Sequence, residues 1–321
     1  MKKHPSVLFE GQTIAVLRNE ALEAEKLGCL TDKQLAVIHS QKWFRFLIPA
    51  RYNGLALTLP EILRVEEGLS WIDGSVGWVV TLCSGAAWFV GFGNQEFIKT
   101  FIDDKDLCIA GSGAVGIAER ERFGFRISGS WKYASGALHA TVFTVNCMDL
   151  ETQEVSSFFL LPNEVTVRRT WNAMGMIATG SHSFEVKDKL IGADRQFIIE
   201  PEHAVLKDPV YQYPFLPLAE ATLAVNISGM ALRFIELSET YGAKSMVPFP
   251  RYREVFFDVT DKNLLSKVSI VSHDLVKASR DIVNDLYSQC GLSAANKESE
   301  INRVWRNFHT AVQHSLFQKK L

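Results

Sequence analysis

The chain has 321 residues, of which 47% are hydrophobic, 22% charged and 11% aromatic. This composition excludes intrinsic disorder for most of the length, and the length suits about two or three domains. Lysine and arginine number 34 against 36 aspartates and glutamates, a formal net charge of −2. That balance gives no electrostatic reason to expect nucleic acid or an anionic membrane as a partner, and it favours a small-molecule ligand.

The cysteines give no sign of a disulfide framework or a metal site. All five are widely spaced and none forms a CxxC pair, so we expect free thiols in a reducing cytoplasm and no bound metal. The N-terminal residues lack the apolar stretch of a secretory signal. Residues 74–95 carry no charge, but five glycines, two serines and a threonine dilute them. We predict a buried helix that can line a pocket, and no membrane span.

Helical patterns fill the first hundred residues. Thr58 stands three residues before Glu61 with a proline between them, a capping pair that predicts the start of a helix. This helix is predicted to carry one apolar face and one acidic face, the latter formed by Glu66 and Glu67. We expect it to end near Asp73.

From about residue 108 to residue 197 the pattern changes to short alternating runs that predict an antiparallel β domain. The runs cover residues 123–127, 141–145, 155–161 and 165–169. Helical periodicity returns after Pro217, over residues 218–241, 264–286 and roughly 299–318. The order helical, β, helical is unusual within one chain.

Gly111, Gly113 and Gly116 match the GxGxxG string of dinucleotide-binding folds. That fold needs a helix opening at the glycines and an acidic residue about 20 positions later. Here a strand follows, and no Asp or Glu occurs between Glu121 and Asp149. We predict a loop at the edge of the β domain, where glycines would let the backbone approach a flat ligand. Motifs of α/β-hydrolases, zinc proteases and P-loop proteins are absent from the sequence.

Polar residues in aromatic company remain as candidates for a site. Trp131, Tyr133 and Ser135 follow at intervals of two, which predicts one face of a strand. Their rings would pack against either a planar heterocycle or a neighbouring domain. Thr179 and Ser181 flank a glycine and offer hydrogen-bond donors to carbonyls or phosphates.

Two histidines lie near the end of the chain, on the last predicted helix. His309 and His314 are five residues apart, so they point about 140° apart on a helix and do not form a metal pair. A single histidine on a helix is more often structural than catalytic.

Taken together, these features resemble the acyl-CoA dehydrogenase superfamily, and within it the two-component flavin-dependent monooxygenases that hydroxylate aromatic or heterocyclic substrates. The similar stretches are LIPARYNG at 47–54, EE at 66–67, DGSVGW at 73–78, GSWKYASG at 129–136 with His139, WNAMGMIATGS at 171–181 and RVWRNFHTAVQH at 303–314. They cover nearly the whole chain in the order of the family.

The resemblance implies an α+β multidomain fold. We expect an N-terminal all-helical domain over 1–106, a central antiparallel β-barrel over 107–204 and a C-terminal helical bundle, shortened, over 205–321. Members of this family assemble as homo-oligomers, dimers or usually homotetramers, which we expect here as well.

The resemblance also implies a flavin site that takes FAD or FMN. The residues expected to bind the cofactor are Trp131, Ser135, Trp171, Thr179, Gly180, Ser181 and Arg306. Ser135 would lie near the reactive edge of the flavin ring, and His314 would either take a proton from a substrate phenol or hold the flavin peroxide. A separate flavin reductase would supply the reduced cofactor, whose oxygen chemistry is its own.

The choice between branches of the family depends on the end of the chain. Acyl-CoA dehydrogenases abstract a proton with a carboxylate, but here Arg306-Asn307 leads to His314, and no Asp or Glu occurs after Glu300. This favours a monooxygenase. Two alternatives stay open: an acyl-CoA dehydrogenase-type enzyme with its base elsewhere, and a catalytically degenerate flavin-binding or structural homologue.

Three departures from the family pattern bear on activity. Ala86 stands where the monooxygenases carry a second histidine. The proline-broken segment 241–264 predicts that one helix of the bundle is deleted or rebuilt. The arginine that would grip the cofactor phosphates from a neighbouring subunit is not clear, with Arg251 and Arg253 as candidate substitutes.

Overall fold

The computed structural model describes residues 4–244 and 265–318. Six helices precede the β segment: α1 (Gly11–Asn19), α2 (Ala21–Leu27), α3 (Asp32–Ser40), α4 (Leu59–Ile72), α5 (Gly74–Ala87) and α6 (Gln95–Ile98). Three described helices follow it: α7 (Phe215–Thr240), α8 (Leu265–Gln289) and α9 (Glu300–Ala311). The predicted order of helical, β and helical segments is confirmed.

Local capping sets the bounds of α4 and α5. The backbone N–H of Thr58 donates to Glu61 Oε2 at 2.8 Å, the capping box that the sequence predicts. Asp73 ends α4 and caps α5, because its Oδ1 accepts the backbone N–H of Val76 at 2.9 Å. The predicted acidic face of α4 is wrong, since its Glu66 and Glu67 are only 1% and 2% exposed.

The uncharged stretch after Asp73 forms α5 and a short 3-10 helix, Trp88–Gly91. Residues 74–91 and α7 are each long and apolar enough to cross a membrane, but 83% and 72% of the respective windows are buried inside the protein. Such burial is typical of core helices. The predicted buried helix is confirmed.

The β segment is one seven-stranded sheet in the order β5-β6-β2-β1-β3-β4-β7. Its strands are β1 (Ile109–Glu121), β2 (Gly124–Ala134), β3 (Val142–Asp149), β4 (Val155–Leu160), β5 (Thr166–Arg168), β6 (His182–Gly192) and β7 (Gln196–Phe197). The observed sheet differs from the predicted central antiparallel β-barrel in two details. Within the described residues β5 and β7 form the two edges without a ladder between them, and β1 pairs in parallel with β3.

The parallel pair follows from the path of the chain. β2 reverses from β1 and β3 reverses from β2, so β3 runs in the direction of β1 and lies on its other side. The connection between β2 and β3 therefore crosses from one side of β1 to the other, as parallel neighbours require.

The GxGxxG stretch lies inside β1, so the predicted loop is wrong. The pairing of β1 with β3 shifts between Gly111 and Val115, which marks a bulge. A Cβ at Gly111 would meet Thr144 Oγ1 at 2.2 Å, so glycine permits the close approach of the two strands. The strand β2 follows, which confirms that this is not a dinucleotide-binding motif.

Three hydrophobic clusters hold the fold together. One fills the N-terminal helices around Trp88, one fills the sheet around Trp131, and one fills the C-terminal helices around Phe308. Leu63 and Trp78 of the N-terminal segment pack into the third cluster. The domain boundaries 1–106, 107–204 and 205–321 stay a prediction. The predicted loss or rebuilding of a bundle helix falls on residues 245–264 and, with Arg251 and Arg253, lies outside the described residues.

Candidate functional site

A cavity of about 1190 Å³ lies between the sheet and the helices α5, α7 and α9. Its walls are formed by α5, the first turns of α7, the bulge of β1, the end of β2 and the segment that follows α9. Single ligands of drug size occupy pockets of about 300–1,000 Å³. The cavity therefore has room for two ring systems side by side.

Of the eight residues that the resemblance assigns to the site, four line this cavity: Ser135, Trp171, Ser181 and His314. Trp171 is fixed by its indole N–H, which donates to the Met176 carbonyl at 2.8 Å. Tyr133, which is 62% exposed, meets the Trp171 ring edge-on at 5.5 Å between centroids. The two aromatic rings thus stand next to each other at the cavity.

A chain of hydroxyl groups forms part of the wall. Ser135 Oγ lies 2.8 Å from Ser181 Oγ, and Ser181 Oγ lies 2.6 Å from Thr179 Oγ1. Thr179 Oγ1 is also 2.7 Å from the carbonyl oxygen of Met176, which can only accept. The hydroxyl hydrogen of Thr179 is therefore directed to that carbonyl.

The direction of the remaining hydrogens follows from this one. Because Thr179 has no second hydrogen, Ser181 donates to Thr179, and Ser135 in turn donates to Ser181. The Ser135 oxygen is left with lone pairs and no hydrogen for a ligand. Ser135, which is 4% exposed, is therefore set up to accept a hydrogen bond from a ligand in the cavity.

Backbone contacts hold this chain in place. The N–H of Gly136 donates to the Thr179 carbonyl at 2.9 Å and joins the end of β2 to the turn at Thr179. Gly180 has φ +53° in that turn, the left-handed region that glycine adopts without strain. Thr179 and Gly180 thus stand behind the cavity wall and position Ser181.

His314 lies beyond α9, which ends at Ala311, so its predicted place on that helix is wrong. Its Nδ1 accepts the backbone N–H of Leu316 at 3.4 Å, and its ring meets Trp78 edge-on at 5.8 Å. Burial lowers the pKa of His314, which keeps it neutral near pH 7. With Nδ1 as acceptor, the proton of the neutral ring is assigned to Nε2.

Known proteins resemble this chain in sequence and in fold. Residues 258–319 match the family model described as acyl-CoA dehydrogenase, C-terminal domain. Indole-3-acetate monooxygenase of Pseudomonas putida is 27% identical over 210 residues, 63% of this chain and 52% of that protein. The oxygenase subunit HsaA of the flavin-dependent monooxygenase of Mycobacterium tuberculosis is 23% identical, over 93% of this chain and 88% of that protein.

The fold comparison extends over the whole chain. The crystal structure of 3-HSA hydroxylase from Rhodococcus sp. RHA1 superposes with a TM-score of 0.85 at 20% identity, and covers 98% of this chain and 94% of that one. The chain is thus similar in sequence to flavin-dependent monooxygenases and has the fold of the solved structures with which it superposes. It spans about half the length of the first curated relatives that it matches, 52% of the first and 51% of the second.

Trp131, one of the residues predicted to bind a flavin, does not line the cavity. Its side chain is fully buried in the sheet, stacked on Phe184 at 5.5 Å, and its indole N–H donates to the Asn146 carbonyl at 3.1 Å. The predicted alternation fails because the pairing of β2 with β6 shifts between Trp131 and Ala134. Trp131 therefore supports the sheet, and Tyr133 points away from it.

Arg306 does not line the cavity either. Its guanidinium donates to Asn302 Oδ1 at 2.9 Å, to the Met174 carbonyl at 2.9 Å and to Glu25 Oε1 at 2.7 Å. With its nitrogens engaged in this way and only 9% of the residue exposed, Arg306 joins α9, α2 and the segment that carries Trp171. Its predicted contact with the cofactor stays a prediction.

Glu66, Trp305 and His309 also line the cavity, although the sequence analysis did not assign them to a site. Within the described residues, Trp305 Nε1, His309 Nε2 and Glu66 Oε2 are buried without a hydrogen-bond partner. Burial and the nearby Arg280 lower the pKa of His309, so its ring is neutral near pH 7. The sequence did carry a signal for Glu66, because it follows Ile62 by four residues and Leu63 by three, and thus shares their buried face.

Proposed function

We propose that this chain is the oxygenase component of a two-component flavin-dependent monooxygenase that hydroxylates an aromatic or heterocyclic small molecule. The observation that carries the proposal is the hydroxyl chain at the cavity, which leaves Ser135 as an acceptor only. The named relatives supply the reaction class. The first curated relatives match this chain over only about half of their own length. The activity, the substrate class and the partner are therefore part of the proposal.

The residues present fit a reduced flavin. A reduced flavin ring carries an N–H donor at its central ring where the oxidised ring carries an acceptor nitrogen, and Ser135 is oriented to accept. Gly113, which also lines the cavity, has open space where a Cβ would stand, and this leaves room for a flat ring against β1. FAD and FMN both remain candidates. When bound, the reduced flavin supplies electrons and activates dioxygen.

His314 is proposed to act on the substrate. As a neutral ring with its proton on Nε2, it donates a hydrogen bond to a substrate oxygen and favours the ionised form of a phenol. Direct removal of the substrate proton, as the resemblance suggested, would require Nδ1 to release the Leu316 N–H. Trp78 fixes the plane of the imidazole from its edge.

The proposal is tested by supplying reduced flavin, dioxygen and a panel of phenols and indoles to the purified protein. We expect hydroxylated product, and we expect His314→Ala to lower its rate roughly a hundredfold, the effect of removing one donor to a developing oxyanion. His314→Gln, which retains an N–H donor, should recover part of the rate. His203→Ala is the control, because His203 is on the surface. Equal rates for wild type and His314→Ala across the panel would contradict the role of His314.

The hydroxyl chain gives a separate prediction for cofactor binding. Ser135→Ala should weaken binding of reduced flavin about tenfold, the loss of one good hydrogen bond. Ser181→Ala frees the Ser135 hydrogen, so preference for the reduced over the oxidised cofactor should fall while both forms still bind. Ser183→Ala is the control, because Ser183 pairs with Thr170. Anaerobic titration of both redox forms measures the preference, and an unchanged preference in Ser181→Ala would refute the assigned hydrogen directions.

Partners and assembly extend the proposal. A separate flavin reductase would deliver the reduced cofactor, and we expect a homo-oligomer, a dimer or a homotetramer, in the cytoplasm. Light scattering on the purified protein measures the oligomer directly. Stimulation of product formation by a reductase with NADH or NADPH tests the partner class.

A second candidate function follows from Glu66, which places a carboxyl group at the cavity. An acyl-CoA dehydrogenase-type enzyme needs such a base, although burial holds this carboxyl protonated by raising its pKa to about 8. Bleaching of bound oxidised flavin by an acyl-CoA would support it. A protein that takes up neither FAD nor FMN would instead indicate a catalytically degenerate homologue.

A further inference from the structure

A small polar cluster interrupts the apolar wall of the cavity. Glu66 of α4 and Thr81 of α5 both line the cavity, and Asn226 of α7 stands behind them. The Asn226 side-chain amide donates to Thr81 Oγ1 at 3.0 Å. The neighbouring cavity residues on these helices are mostly apolar, among them Leu82, Ala86 and Leu223. The cluster is therefore a local polar contact point in an otherwise apolar region.

The cluster is incompletely hydrogen-bonded. Glu66 is 1% exposed, and its Oε2 has no partner among the described residues. Oε1 lies 3.5 Å from the Ser84 hydroxyl, which also lies 3.2 Å from the Thr81 carbonyl, and the Thr81 hydroxyl is a second hydrogen-bonding neighbour of the carboxyl. Among the described residues, 4–244 and 265–318, none forms an ion pair with Glu66. Buried polar groups are nearly always satisfied, so a buried carboxyl left open at a cavity points to a ligand.

We propose that Glu66 is the specificity residue for the substrate, and that it binds an uncharged hydroxyl or ring N–H group of an aromatic ligand lying in the apolar end of the cavity. This inference rests on the proposed function for the reaction, but it concerns a different wall from Ser135. His314 and Glu66 belong to different elements, so they can hold two parts of one substrate.

The protonation state of Glu66 explains the class of ligand. Burial raises the pKa of Glu66 to about 8, so near pH 7 the carboxyl is neutral and offers both a donor and an acceptor. A hydroxyl or a ring N–H pairs with such a group without leaving a buried charge unpaired. Ala86, one turn after Leu82 on the cavity face of α5, leaves space for a ring beside this contact.

Flavin-free protein tests this inference through matched ligands that differ by one donor. Binding of indole and 1-methylindole, and of phenol and anisole, is measured by calorimetry for wild type, Glu66→Gln and Glu66→Leu. Wild type should prefer the donor-bearing member roughly tenfold, the discrimination expected for one buried hydrogen bond. Glu66→Gln keeps a donor and an acceptor and should retain the preference. Glu66→Leu should lose it while still binding the methylated member.

The outcomes separate this inference from the proposed function. A wild type without preference in either pair, or a Glu66→Leu variant with the wild-type preference, would overturn the role of Glu66. Thermal unfolding and circular dichroism check that Glu66→Leu is folded, and Glu66→Gln, nearly the same in shape, covers the case in which it is not. Binding of reduced flavin is measured separately on each variant. If wild type binds no flavin but keeps its ligand preference, the monooxygenase proposal fails and the Glu66 site stands.

Discussion

Replacing Glu66 by glutamine is expected to remove a large part of the pH dependence of unfolding. Burial raises the pKa of this carboxyl from 4.5 to about 8 in the folded protein, whereas the unfolded chain ionises near the usual value. Between these two values the native state holds a proton that the unfolded state has lost. Stability of the wild type therefore falls as pH rises through this window.

The size of the effect follows from the linkage between proton binding and folding. Each pKa unit corresponds to about 1.36 kcal/mol, so Glu66 should cost the wild type about 3 kcal/mol of unfolding free energy between about pH 5.5 and about pH 8. Glu66→Gln has no such proton to bind. Urea unfolding at these two pH values should show the variant gaining about that amount relative to wild type.

Glu61→Gln is the matched control on the same helix. Glu61 caps α4 through Thr58, and those hydrogen bonds lower its pKa. Its contribution is present above the unfolded pKa and is lost only at acid pH, so this variant should show no change of slope between about pH 5.5 and about pH 8. Parallel pH profiles for wild type and Glu66→Gln would mean that Glu66 is ionised in the folded protein.

Elements specified by nearby residues could be predicted from the sequence. The start of α4 at its capping box and the start of α5 at Asp73 depend on contacts three residues apart. The bounds of the sheet depend instead on pairing between distant strands. The shift between Trp131 and Ala134 and the bulge after Gly111 come from such pairing, and a period-two pattern in one strand cannot reveal them.

The site was predictable in its hydroxyl residues and not in its acid. The resemblance singled out Ser135 and Ser181, which are 46 residues apart and meet at 2.8 Å. It did not indicate which of them faces a ligand as an acceptor, because that depends on the Met176 carbonyl. Glu66 was predicted to lie on an acidic face of α4, and the structure buries it, although charged residues are rarely buried without a partner. Glu66 is an exception to that rule, and it lies at the cavity.

Loss of Arg306 is expected to destabilise the protein by about 3–5 kcal/mol, the cost of removing one partner of a buried ion pair. The Arg306 and Glu25 side chains are 10% and 18% exposed. Arg306→Ala would leave the Glu25 carboxylate without its cation and the Met174 carbonyl without its donor. Urea unfolding near neutral pH measures the loss.

Two comparisons identify the cause. Arg168→Ala removes an exposed pair with Glu185 and should cost less than about 1 kcal/mol. Glu25→Gln in the Arg306→Ala background should cost little more, because the pair is already broken, whereas independent sites would add. If Arg306→Ala loses no more unfolding free energy than Arg168→Ala, the ion pair between Arg306 and Glu25 does not stabilise the protein.

The contacts of Arg306 also bear on the candidate site. Asn307 Oδ1 accepts the Met176 backbone N–H at 2.6 Å, next to the Met174 carbonyl held by Arg306. The Met176 carbonyl in turn sets the direction of the hydroxyl chain that ends at Ser135. Arg306→Ala should therefore weaken preference for reduced flavin as Ser181→Ala does, although Arg306 is not a lining residue of the cavity. A variant that is destabilised but keeps the full preference would show that the Met176 peptide is held without Arg306, by Asn307 at its N–H and by the Trp171 indole at its carbonyl.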